Sequence, residues 1–167
     1  PVASMTIISA PTISLEGVNL WIAQSAPVPE KDILLAKSDM HILISLLFII
    51  VSGLICAVAF KFSIVSTIMI FVLPIAATVF NALFGVAINL KFPKFDWTNE
   101  TVAVKQGMAP IAAMLVSIAT SLLPVIAYFV WMMDFMKPET FILLYFIFFV
   151  ILAVLVYRFL ITKGVKI

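Results

Sequence analysis

Phe62 to Leu90 contains no charged residue, and this run constrains the chain more than any other feature. At 1.5 Å per residue it forms a helix longer than the roughly 30 Å of a bilayer's hydrocarbon core. Three more runs share the pattern. Ile42–Phe60 is 19 residues without a charge, about 28 Å as a helix. Met108–Met133 is also uncharged, and Thr140–Ile161 is charged only at Arg158, near its end. Lipid offers no partner for unpaired backbone groups, so such runs cross it as helices. The expected fold is therefore all-α: a polytopic transmembrane helical bundle of about four spans (42–60, 62–90, 108–133, 140–161), preceded by a short amphipathic helix.

Composition points the same way. Hydrophobic residues make up 65% of the chain and charged residues 11%, against roughly 25% charged in soluble domains. Burial of four such runs inside one soluble protein of 167 residues is the competing interpretation, and the chain has too little polar surface to cover them. The length suits a single membrane domain, with 1–41 cytoplasmic or interfacial, 42–161 in the spans and 162–167 a cytoplasmic tail. A net charge of +2 with no basic patch gives no reason to expect nucleic acid as a partner. Cys56 is the one cysteine, so no internal disulfide forms. The chain begins at Pro1 without methionine, as expected of a piece of a longer polypeptide.

Basic residues set the orientation. Lys31 and Lys37 precede the first span, Lys91, Lys94 and Lys105 separate the second and third, and Arg158, Lys163 and Lys166 close the chain. Only Lys61 and Lys137 fall on the other side. The positive-inside bias places both termini in the cytoplasm of a multi-pass protein of the cell membrane.

Two polar segments on that side attract attention. In Ser14 to Gln24, Leu15, Val18, Trp21 and Ile22 share one helical face while Glu16, Asn19 and Gln24 fall elsewhere. Ser14 is a possible cap, Glu16 suits the first turn, and Pro27 and Pro29 end the helix. It reads either as a helix resting on lipid headgroups, anchored by Trp21, or as a docking helix for a cytoplasmic partner. Ile33–Lys37 continues in helical pattern toward the first span, as an elbow. In Lys91 to Gly107, Thr98 with Thr101, or Asp96 with Asn99, caps a short helix ending at Gly107, while Phe92, Phe95 and Trp97 suit the interface. Asn99-Glu100-Thr101 matches a glycosylation pattern by chance on the cytoplasmic side.

Within the spans, Ala109, Ala113, Ser117 and Ser121 recur at every fourth position, a spacing that lets helices approach closely. Gly53 and Ala57 offer a weaker version. Pro74 and Pro124 free carbonyls and kink their helices. Asn81 is suited to a hydrogen bond between helices. No acid or base lies at mid-span, which argues against a self-sufficient ion-coupled carrier. One histidine and one cysteine make no metal site, and no catalytic set or phosphate-binding glycine loop is present. The chain reads as non-enzymatic and without a cofactor.

Ile13-Ser-Leu-Glu-Gly-Val-Asn-Leu-Trp-Ile22 with Gln24-Ser-Ala-Pro-Val28 resembles a cytoplasmic segment of the large ABC exporter permeases (type-2 class) of Gram-positive bacteria. Asn89-Leu-Lys-Phe-Pro-Lys-Phe-Asp-Trp-Thr-Asn-Glu100, continued by Val104-Lys-Gln106, resembles a second and more specific hallmark. Val18 and Gln24 stand where basic residues are usual, and Ala26 where leucine is common. The resemblance implies a C-terminal half or fragment of such a permease, acting beside its other half or a second permease subunit. It further implies a separate ATPase subunit that hydrolyses ATP, with membrane lipids around the spans. On this resemblance Ser14–Gln24 is a coupling helix with Glu16, Gly17, Asn19 and Trp21 in contact, and Lys91–Gln106 adds Asp96, Trp97 and Glu100. A membrane scaffold without transport is the alternative.

Overall fold

The computed structural model describes residues 8–25, 27–97, 99, 101, 104 and 106–162. Every regular element among them is helical. A short α1 (Thr12–Glu16) passes through a 3-10 turn at Gly17–Asn19 into α2 (Leu20–Ser25). Four long helices follow: α3 (Glu30–Phe60), α4 (Ile64–Lys91), α5 (Met108–Ala127), which ends in a π-turn at Tyr128–Met132, and α6 (Pro138–Thr162). All four are long and apolar enough to cross a membrane, as a multi-pass membrane protein requires.

The boundaries differ from the sequence expectation for local reasons. The first long helix starts at Glu30, twelve residues before the uncharged run, and contains no elbow. Pro29 precedes it in an extended conformation, and Glu30 and Asp32 sit in its first turn, where the helix dipole favours acids. At 31 residues it is about 46 Å long, so its charged N-terminal turns extend past the hydrocarbon. α4 begins two residues late because Ser63 caps it, accepting the Ser66 N–H at 3.2 Å. α6 begins at Pro138 rather than 140, since proline's fixed φ suits a first helical position.

The single helix expected over 14–24 is instead two pieces. Gly17 has φ +48° and ψ −122°, which an α-helix cannot accommodate. Ser14 lies inside α1 rather than capping it. The helix expected near Gly107 falls largely outside the described residues, although Asn99 Oδ1 does accept the Thr101 N–H at 3.0 Å, a local turn contact.

Helix α4 is central. It packs against α3, α5, α6 and α1, and 44% of its most apolar window is buried, against 6% for α6. Phe80, Leu83, Val86 and Phe149 lie in the shared core. Close approaches need small residues. A Cβ on Gly53 would fall 2.4 Å from the Phe71 ring, so this glycine sets how near α3 comes to α4. On α5, Ala109, Ala113 and Ser117 are buried while Ser121 is half-buried. Asn81 accepts the Ser117 hydroxyl at 3.0 Å, the bond between helices that its position suggested.

Proline at 124 removes the N–H that would bond the Thr120 carbonyl. The Tyr145 hydroxyl of α6 donates to that carbonyl. Farther on, the Tyr128 N–H reaches both Pro124 O and Val125 O, where the helix widens into its π-turn.

Candidate functional site

The polar residues of the molecule converge at the end of the bundle where α4 finishes and the Lys91–Gly107 connection begins. A five-residue helix such as α1 does not persist alone in water, and Pro11 gives its N-terminus no side-chain cap. Asn89, fully buried on the last turn of α4, supplies the cap instead. Its Oδ1 accepts the N–H groups of Ile13 at 2.8 Å and Ser14 at 3.1 Å, two of the donors a helix start leaves open. Its Nδ2 donates to Ser14 Oγ at 2.7 Å.

Ser14 is therefore a junction. Its hydroxyl oxygen also accepts the Lys94 N–H at 3.0 Å, and its carbonyl accepts the Trp97 indole N–H at 2.7 Å. The two segments singled out in the sequence thus meet on one serine. Trp97 then lies over Gly17, where a Cβ would come within 3.0 Å of the ring. Glycine is needed there both for the positive φ and for that ring.

The residues before α1 are fixed as well. Ser9 and Ala10 are buried against Gly85, one turn before Asn89 on the same face of α4. A Cβ on Gly85 would fall 2.2 Å from Ser9 Oγ and 3.1 Å from the Ala10 nitrogen. Ser9 Oγ and His41 Nδ1 share a hydrogen bond of 2.9 Å. His41 is buried on α3. Lys37 of α3 donates to the Glu16 carboxylate, tying α1 to a second long helix.

Past Gly17 the character changes. Asn19 is exposed, and Trp21 and Ile22 are 63% and 54% exposed. Asp96 is exposed too, while Glu100 lies outside the described residues. Glu16, Gly17 and Trp97 are thus brought together as an internal fastening, whereas Asn19, Trp21 and Asp96 remain available to a partner. Sequence reasoning missed Asn89, Ser9 and His41 as its partners. The available signal was Gly85 and Asn89, a glycine and a second asparagine four residues apart in a predominantly apolar helix. Among the described residues, no group of three or more acids, histidines or cysteines is placed to hold a metal. No protein-family model, curated protein or solved structure matches this chain, so its own residues bear the functional reading.

Proposed function

We propose that this chain is the membrane-spanning permease component of an ATP-driven, ABC-type exporter in the cell membrane, with both termini cytoplasmic. A separate ATPase subunit docks on the segments 14–24 and 91–106 and carries out the hydrolysis. The other half of the permease, or a second permease subunit, completes the pathway. The observation that supports this best is the fastening of Ser14 to Asn89, Lys94 and Trp97, with Trp21 and Ile22 left exposed beyond it.

In this mechanism α2 is the contact and α1 the transmission. Exposed tryptophan is a favoured anchor in interfaces, so Trp21 seats in the ATPase. Closure of the ATPase pair displaces α2. Because α1 is capped by Asn89 and paired through Glu16 to Lys37, the displacement passes to α4 and α3 rather than dissipating in a loose loop. α4 contacts every other span, so its movement shifts the bundle between inward- and outward-facing arrangements.

Co-purification tests the reading: an ATPase subunit accompanies the native chain, and Trp21→Ala releases it and abolishes ATP-dependent transport. Trp21 is mostly exposed, so its removal changes unfolding free energy by less than about 0.5 kcal/mol. A chain that purifies without any ATPase, or a Trp21→Ala variant with full transport, favours the scaffold without transport.

A further inference from the structure

At the opposite end of the bundle, α4, α5 and α6 separate around a cavity of about 330 Å³, the size at which small organic ligands begin to be held. Its chemistry is selective. Tyr128, Phe141 and Tyr145 line it as a ladder of rings, with centroids 5.0 Å apart between Tyr128 and Phe141 and 6.2 Å between Phe141 and Tyr145. No charged side chain lines it.

The hydroxyl groups in the wall are mostly committed as donors. Tyr145 donates to Thr120 O, Tyr128 to Met136 O at 3.3 Å, and Thr120 to Val116 O at 2.7 Å. Among the lining side chains only Ser121 has a hydroxyl proton not directed to such an acceptor. The wall therefore presents ring faces and oxygen lone pairs, and almost nothing that solvates an anion. Pro138 lines the cavity, and the segment around it carries Asp134, Lys137 and Glu139, all exposed and none in an ion pair among the described residues. Lys61, the other base at this end, belongs to the α3–α4 turn.

We propose that this groove binds an amphipathic organic cation: an apolar or aromatic body bearing one positive centre, entering from the lipid. The positive centre lies against the rings, whose faces attract cations, and the two carboxylates of the adjoining segment add a longer-range attraction. Naming this cation as the exporter's cargo rests on the permease reading. Binding by the isolated chain does not, so the two fail separately.

The test uses two ions of matched size and opposite charge, tetraphenylphosphonium and tetraphenylborate, in equilibrium dialysis against the full chain in phosphatidylcholine vesicles. Tetraphenylphosphonium binds saturably, while tetraphenylborate only partitions into lipid. Phe141→Leu keeps an apolar side chain but removes a ring face, and weakens cation binding about tenfold. Asp134→Asn with Glu139→Gln weakens it about threefold at low salt, an effect lost at high salt. Ser121→Trp fills the groove and abolishes saturable binding; an unchanged unfolding temperature in each variant shows that the fold persists. Equal saturable binding of both ions overturns the proposal, as does a folded Phe141→Leu chain with native affinity. So does a co-purified lipid that Ser121→Trp loses and tetraphenylphosphonium cannot displace.

Discussion

The two ends of α4 are held by different chemistry. At its C-terminal end, helices and connections are joined by hydrogen bonds between residues 75 to 83 positions apart, through Asn89, Ser14 and Trp97. At its N-terminal end, rings and prolines surround a cavity, and the hydroxyl groups there mostly serve backbone carbonyls. Directional bonds to buried donors allow one arrangement and penalise any other, because a stranded donor has no water to turn to. Ring contacts tolerate sliding and re-packing with modest losses. One end of the molecule is consequently suited to passing on a displacement, and the other to yielding to it.

Three substitutions probe this contrast. The largest effect is expected for Asn89→Leu, which strands the N–H groups of Ile13 and Ser14 and removes one of the two donors to the Ser14 hydroxyl. It costs about 3 kcal/mol, read as lost unfolding free energy in detergent and as new protease cleavage between Ser9 and Ser25. Gly85→Ala comes next. Its methyl group meets Ser9 and the Ala10 backbone, at a cost of about 2 kcal/mol, and it exposes the same segment to protease without touching Asn89. Tyr145→Phe is smallest, about 0.6 kcal/mol, in line with a typical hydrogen bond between membrane helices. If Tyr145→Phe proved as damaging as Asn89→Leu, the two ends would not differ in rigidity.

The spans were legible because lipid imposes long uncharged runs. Their ends were less so, since charge marks where hydrocarbon stops and not where a helix stops. Glu30, Lys31, Asp32 and Lys37 fall outside the uncharged run yet within α3. The hydrogen bond of Asn81 to a neighbouring helix was visible from its polarity. The break at Gly17 was hidden, because the apolar positions on either side keep a helical period while only the backbone angle, and the ring of Trp97 above it, reveal the interruption. Asn89 stood out by its polarity, but its partner Ser14 lies 75 residues earlier, so nothing local said what it would cap.

The fastening of Ser9–Glu16 also dictates a chronology. Its partners, from Lys37 and His41 through Gly85 and Asn89 to Trp97, all emerge later from the ribosome. Ser9–Glu16 therefore waits for two helices to insert and a third connection to follow before it has anywhere to settle. An insertion pause or truncation before Trp97 would leave it as a loose flap, a ready mark by which quality control tells a half-built copy from a finished one.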